Sequence, residues 1–267
     1  AHSSAVIIIR NAISQELAGK LGNMDIPCVS IGYDYFPARI NIVCSDNRQG
    51  MELAFDHLVD KGHTRIAYMG DLTQYDLRKR YEVYCERHAA YNLSLDEELV
   101  FLTKSITYLG GFNAANEFVQ RNCDATALII GAGLVAEGFK SQMNEINPQL
   151  YDRLDIVSFD LMPLQILSKK STKTIDLNLL ILANNCINVI ERRLASRPVE
   201  NLIKVDCRLV ELPAYGEVTP SDMAPCLEEA SFNNPPYMKI LVTKMYEWPI
   251  AIANTALNDI MSLAPLF

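Results

Sequence analysis

The sequence predicts an α/β protein with parallel sheets that are covered by helices on both faces. Short, almost continuously apolar runs alternate along the chain with longer amphipathic stretches. Runs of this kind are typical of strands buried on both faces, and their alternation with helices favours parallel pairing. A chain of 267 residues is long enough for two lobes, each with its own core.

The elements follow from this pattern and from local turn signals. Strands are predicted at 5–9, 28–31, 40–44, 65–69, 99–102, 127–130, 155–159 and 205–210. Helices are predicted at 14–21, 50–60, 79–91, 111–121, 134–144 and 179–194. Prolines then break the chain after Leu212, and two further helices are expected at 237–248 and 250–263. This last part is either a packed appendage or a helical linker to another domain.

Composition excludes several classes of function. The formal charge of −8 argues against a nucleic-acid contact surface, which needs basic stripes. No apolar run approaches the roughly 20 residues that span a bilayer, and the opening lacks the pattern of a signal peptide. We therefore expect a cytoplasmic location, no membrane contact, and no direct contact of this segment with DNA.

The sequence also offers no catalytic or metal-binding motif. The seven cysteines are scattered, which is typical of reduced thiols rather than of a zinc site or a disulfide framework. His63 has no histidine or cysteine partner at ligand spacing. There is no nucleophile elbow and no phosphate-binding Walker loop. We expect a segment that is not an enzyme and that holds neither a metal nor a cofactor.

One stretch, at 50–67, resembles a known family. It contains, in order, Gly50, Ala54, His57-Leu58, Gly62-His63 and Arg65-Ile66-Ala67. This pattern is similar to the effector-binding domain of the LacI/GalR family, whose members share the periplasmic-binding-protein fold. Further matches lie at 27–32, 46–47, 80–84, 157–160, 174–175 and 207–210. The resemblance covers roughly residues 5 to 212, in the family's order.

The resemblance implies two lobes joined by several crossovers. The first lobe is expected to comprise 1–46 and 176–201, the second 47–175 and 202–212, with 213–267 as a linker and helical extension. The family's opening β-α-β unit has no counterpart before Val6, so the first lobe is expected to be partial. Signalling proteins that place such a sensor before an output module, for example a diguanylate cyclase, show a similar extension.

Four residues match the family's ligand positions. Arg80 corresponds to the ligand arginine, and its planar guanidinium suits hydroxyl pairs or carboxylates. Asp160 corresponds to the ligand aspartate and ends a strand, where ligands collect in α/β sheets. Asp46 lies at the first crossover, and Tyr84 accompanies Arg80 on the next helix. Three of them have a structural alternative, which is a surface arginine for Arg80, a helix N-cap for Asp160 and a turn-forming role for Asp46.

The sequence departs from the family where two polar contacts are expected. Ala132 and Gly133 stand where the family often has Asn-Asp, and Val83 replaces a usual glycine. The pocket is therefore expected to take a ligand with fewer hydroxyls, or none. The effector remains open among sugars, nucleosides and carboxylates.

Three functions stay open at this point. The first is a small-molecule sensor domain of a signalling or transcription protein, which the resemblance also implies to be a homodimer that contacts DNA only through an absent domain. The second is an NAD(P)-dependent oxidoreductase, because the turn 131–136 reads G-x-G-x-x-A between a strand and a helix. The third is a ligand-free dimerisation module.

Overall fold

The computed structural model describes residues 5–24, 26–160 and 171–212. These residues form two sheets whose strands are ordered β1-β2-β3-β9 and β10-β8-β7-β6-β4-β5. The strands are β1 (Val6–Ile9), β2 (Cys28–Ile31), β3 (Asn41–Ser45), β4 (Ile66–Gly70), β5 (Val100–Leu102), β6 (Ala127–Ile130), β7 (Asp155–Phe159), β8 (Thr172–Asp176), β9 (Leu202–Val205) and β10 (Arg208–Leu212).

The helices lie between the strands, as the alternating pattern predicts. They are α1 (Gln15–Gly22), α2 (Asn47–Asp60), α3 (Tyr75–Ala90), α4 (Tyr108–Gln120), α5 (Gly133–Ile146), α6 (Pro148–Arg153) and α7 (Leu179–Leu194), with a 3₁₀ helix at Glu97–Leu99. Among the described residues, no helix has the length and apolar character needed to cross a membrane. The predicted α/β class with parallel, helix-covered sheets is confirmed.

The first sheet is parallel throughout and carries a core on each face. β1 pairs with β2, β2 with β3, and β3 with β9, all in parallel. Successive side chains enter different cores: Cys28 of β2 packs in the core with Ala18 of α1, whereas Val29 packs in the core with Leu182 of α7. We call this sheet with α1 and α7 the first lobe.

The second sheet is sandwiched in the same way and forms the second lobe with α2–α6. β4 lies between β5 and β6, β6 pairs with β7, and these pairings are parallel. Ala67 and Met69 of β4 face the core under α4 and α5, and Ile66 and Tyr68 face the core under α2 and α3. This strict alternation is the period of a strand that is buried on both faces.

Some predicted elements need correction. The run 205–210 is not one strand, because β9 ends at Val205 and β10, in the other sheet, begins at Arg208. β9 pairs with β3, so residues 202–205 lie in the first lobe rather than in the second. The third crossover therefore falls at residues 206–207. The polar strand β8 and the short helix α6 were not among the predicted elements.

Backbone contacts divide the chain into two compact units. One comprises 1–160 and 174–210 and contains both lobes, and the other comprises 161–173 and 211–267. In the second unit, Ser171 Oγ donates to Glu211 Oε1 at 2.7 Å, and Lys173 Nζ lies 3.1 Å from the same oxygen. The predicted helical extension at 213–267 lies outside the described residues.

A fully buried histidine lies in the core under α2 and α3. The His88 ring packs 4.3 Å from the ring of Tyr84 and 4.9 Å from that of Phe55, centroid to centroid. Its Nδ1 lies 3.0 Å from the carbonyl oxygen of Tyr84, and its Nε2 has no hydrogen-bond partner among the described residues. Burial lowers the pKa of His88, partly offset by the Tyr84 hydrogen bond. The neutral imidazole is therefore the form that the fold accommodates.

Acidification should destabilise the protein through this group. The pKa of His88 is lower in the folded than in the unfolded chain, where it is about 6.5. The free energy of unfolding is therefore unaffected by this group above a pH of about 6.5. Below that value the group lowers it, by at most about 1.4 kcal/mol per pH unit. Urea unfolding between pH 8 and 5 should show this slope for the native protein and a shallower one for His88→Phe. Equal slopes would contradict the prediction.

Candidate functional site

The carboxyl ends of the two sheets face each other, and side chains bridge them. Arg10, which follows β1, donates through Nη2 to both carboxylate oxygens of Asp76 in the first turn of α3, at 2.9 Å each. The rings of Tyr33 and Tyr75, also from different lobes, lie 5.4 Å apart between centroids. The two lobes therefore meet at the edge where ligands collect in parallel α/β sheets.

A cleft of about 280 Å³ lies at this junction, beside the first crossover. We call it the interlobe cleft. It is lined from the first lobe by Gly32, Tyr33, Asp34, Ile42, Cys44, Ser45, Asp46, Leu202 and Lys204, and from the second by Asn47, Arg48, Tyr75, Lys79, Glu82 and Val83. The lining combines apolar side chains such as Ile42 and Val83 with aromatic and charged ones, and a concave surface of this size can hold a small molecule.

The crossovers beside the cleft are hydrogen-bonded to one another. Ser45 Oγ donates to the carbonyl oxygen of Leu177 at 3.0 Å, and Asn178 Nδ2 donates to that of Asp206 at 2.6 Å. Asn178 has a left-handed backbone with φ of 51°, which asparagine tolerates better than most residues. These contacts link the three connections to one another.

Asp46 lies in the interlobe cleft, as the sequence predicts, and it also caps α2. Its Oδ1 accepts from the backbone N–H groups of Arg48 and Gln49 at 3.1 and 3.3 Å. Its Oδ2 accepts from Lys204 Nζ at 3.2 Å. Asp46 therefore lies at the predicted crossover as the N-cap of α2, and its carboxylate is already paired with Lys204.

Arg80 lies at the second lobe's edge but is buried below the cleft lining. Its Nε donates to Asn47 Oδ1 at 2.8 Å, and its Nη1 donates to the carbonyl oxygen of Gly131 at 2.6 Å. The guanidinium also stacks 4.2 Å from the centroid of the Phe159 ring, and Nη2 lies 4.0 Å from Asp76. Only 1% of the residue is exposed, so the surface-arginine alternative is wrong. Arg80 does not line the cleft itself, but its hydrogen-bond partner Asn47 does.

Asp160 is brought to the same turn as Arg80. It directly follows β7 with φ of 67°, a left-handed conformation that is uncommon outside glycine. Its Oδ2 accepts from the backbone N–H of Gly133 at 3.3 Å. Arg80 donates to the carbonyl oxygen of Gly131, so the two predicted residues form hydrogen bonds to opposite ends of one strand-to-helix turn, at residues 131 and 133.

The same contacts weaken the dinucleotide alternative. A pyrophosphate at this turn would need the free N–H groups that begin α5. The Gly133 N–H is occupied by Asp160, whose carboxylate would also repel a phosphate. The turn at 131–133 is therefore hydrogen-bonded by side chains of the second lobe itself.

Tyr84 does not belong to the candidate site. Its side chain has no exposed surface and packs among Phe55, Tyr68 and His88. Its hydroxyl donates to the carbonyl oxygen of Ile66 at 2.8 Å, and burial raises its pKa above the usual value. The structure does not support this prediction, because Tyr84 lies one helical turn beyond Arg80, inside the core and outside the cleft lining.

No group of three or more metal-ligating side chains occurs within the described ranges. His63 places Nδ1 at 2.9 Å from Thr126 Oγ1 and Nε2 at 2.8 Å from Asp155 Oδ2, which is a structural role. Burial raises the pKa of the Cys207 thiol to about 12, far from the range of a reactive thiolate.

Sequence reasoning missed the residues that bring the lobes together. Arg10, Tyr33 and Tyr75 lie outside the family-like motifs. The position of Arg10 and Tyr33 just after predicted strands was an available signal, because carboxyl ends of parallel strands share an edge. No signal in the sequence indicates which residues meet across that edge.

The fold and the interlobe cleft define a two-lobed α/β domain of the periplasmic-binding-protein type. No family model matches the chain. The ribose operon repressor of Escherichia coli (strain K12) is 27% identical over 150 residues, which make up 52% of this chain and 44% of that protein. The match thus spans less than half of this curated relative.

Solved structures show the same fold. The transcription regulator CcpA of Lactococcus lactis superposes with a TM-score of 0.69 at 21% identity, over 79% of this chain and 78% of that one. The transcriptional regulator CelR in its cellobiose complex gives 0.69 at 19% identity, over 78% and 65%. Likeness at this identity establishes the fold alone.

In sequence and fold together, the chain resembles a LacI/GalR-family effector-binding domain, as the motif at 50–67 predicts. These relatives are regulators rather than enzymes, which is consistent with a segment that is not catalytic. They lend no support to an attached diguanylate cyclase, which stays a prediction.

Proposed function

We propose that this chain is the sensor domain of a regulatory protein and binds a small molecule in the interlobe cleft. The observation that carries the proposal is the lining of that cleft, to which both lobes contribute side chains. A ligand that contacts both lobes favours their closed arrangement by its differential affinity. The cellobiose complex of the fold neighbour CelR supports a small-molecule role for this type of domain.

Lobe closure is the proposed signal, and the hinge lies at the three crossovers. The division into lobes is proposed as 1–46 with 176–205 and 47–175 with 206–212. In the proposed site, Asp46 lines the cleft, while Arg80 and Asp160 position the turn at 131–133 beneath it. Homodimer formation, a cytoplasmic location and DNA contact through another domain remain proposals from the resemblance.

A ligand panel tests this function directly. Sugars, nucleosides, carboxylates and amines are screened by thermal shift, and a true ligand at 100 times its Kd stabilises the fold by about 2.7 kcal/mol. Small-angle scattering with and without the hit should show a smaller radius of gyration in the complex. If no compound of any class shifts unfolding, the ligand-free module becomes the better account.

Removing the bridge between Arg10 and Asp76 should loosen the closed arrangement. The Arg10 side chain is 43% exposed, so solvent screens the pair and Arg10→Gln should cost at most about 1 kcal/mol of stability. The radius of gyration without ligand should nevertheless increase, because the pair is interlobe. Lys20→Gln breaks an ion pair within α1 and should leave that radius unchanged. Equal radii for the two variants would contradict the interlobe role.

A further inference from the structure

Two tyrosines from different lobes form an aromatic wall in the interlobe cleft. The ring centroid of Tyr33 lies 5.4 Å from that of Tyr75 and 4.7 Å from that of Tyr35. The face of an aromatic ring carries partial negative charge and attracts ammonium or guanidinium groups within about 6 Å. Lys79 already uses this attraction, because its Nζ lies 5.9 Å from the Tyr75 centroid.

The cations of the cleft are neutralised by neighbouring acids. Lys79 Nζ lies 2.8 Å from Glu82, and Lys204 Nζ lies 3.2 Å from Asp46. Arg48 pairs with Glu86 at 2.7 Å. None of these three cations is left to attract an anionic ligand.

The remaining charged residue of the lining is Asp34, an exposed carboxylate. Its Oδ1 accepts from the backbone N–H of Phe36 at 2.8 Å, and within the described part of the chain it forms no ion pair. Its charge acts across the cleft on Tyr75. Burial is the largest cause that raises the pKa of Tyr75, and the negative charge of Asp34 is the second largest. Among the described residues, Asp34 is therefore the carboxylate of the lining that lacks an ion-pair partner, and it lies beside the aromatic wall.

Two polar side chains of the lining are partly engaged by the protein itself. Asn47 Oδ1 accepts from Arg80, and Ser45 Oγ donates to the backbone of Leu177. The apolar side chains of the lining include Ile42, Val83 and Leu202. Together with the engaged atoms of Asn47 and Ser45, they leave a polyhydroxylated ligand fewer hydrogen-bonding sites than the residue types alone suggest.

We propose that the interlobe cleft takes a small organic cation with a single ring, whose ammonium pairs with Asp34 and whose ring packs against Tyr33 and Tyr75. This inference rests on the proposed function and names the ligand class of the same cleft. A volume of about 280 Å³ suits one ring, since pockets for larger ligands span roughly 300–1,000 Å³.

The test compares tyramine with 4-ethylphenol, which has the same ring without the ammonium, by calorimetry and thermal shift. Tyramine should bind at least about ten-fold more tightly, because a charge-assisted contact is made only by the amine. Asp34→Asn keeps an acceptor for Phe36 and should reduce tyramine affinity about ten-fold, with little effect on 4-ethylphenol. Glu16→Gln, on α1 and outside the lining, changes the net charge equally and should have no effect.

A second variant separates the ring from the charge. Tyr33→Leu should weaken both compounds, because both lose an aromatic partner. Equal affinities for the two compounds, or an unchanged tyramine affinity in Asp34→Asn, would overturn the ligand class. If ribose or a carboxylate binds while amines do not, the sensor function stands and this inference fails. If nothing in the panel binds, both fail.

Discussion

Replacing Gly111 with alanine should destabilise the protein by about 3 kcal/mol, the upper part of the usual range for overpacking. Gly111 lies on α4 where that helix crosses α5. A Cβ at this position would lie 2.7 Å from the carbonyl carbon of Val135 and 2.9 Å from the nitrogen of Phe139, closer than real Cβ contacts. These are backbone atoms of α5, so no side-chain rotation can relieve the clash.

Gly138 makes the reciprocal contact, because a Cβ there would lie 2.8 Å from the carbonyl carbon of Tyr108. Gly138→Ala should therefore have a similar cost. The matched control is Gly19→Ala in α1, where a Cβ meets nothing within 4 Å. This control should gain about 0.8 kcal/mol, because alanine has the higher helix propensity. Urea unfolding followed by circular dichroism measures all three, and a Gly111→Ala variant as stable as Gly19→Ala would refute the packing argument.

The fold class was predictable because its signal is local and repeated. β6 is apolar throughout and β7 has an apolar centre at Ile156 and Val157, and both strands were located at their observed bounds. β8 was missed as an element because Thr172 and Thr174 are buried although they are polar. The division of 205–210 between two sheets also depends on tertiary structure, since only the pairing of β9 with β3 separates it from β10.

The candidate site was predictable only where the family-like motif reaches it. Asp46 was placed correctly because a residue after a strand at a crossover must lie near the junction. Tyr84 shares a face of α3 with Arg80 but lies one helical turn further along, where that face is inside the core rather than beside the cleft. The pair of Tyr33 and Tyr75 depends on how the two lobes meet, which is not encoded in any local pattern.

Replacing Arg80 with methionine should destabilise the protein by about 3 kcal/mol, even without any ligand. Methionine fills much of the space but donates nothing, so Asn47 Oδ1 and the carbonyl of Gly131 lose their donor. The stacking on Phe159 is lost as well. Arg78→Met, an exposed neighbour on α3, should stay within about 0.5 kcal/mol of the native protein.

This expectation changes how ligand tests on Arg80 must be interpreted. A loss of ligand response in Arg80→Met would follow from a displaced Asn47 and a loosened turn at 131–133, without any direct contact. Arg80→Lys keeps the charge and one donor but loses the planar stack, so it should recover part of the stability. If Arg80→Met and Arg78→Met unfold at the same urea concentration, then Arg80 is not structural.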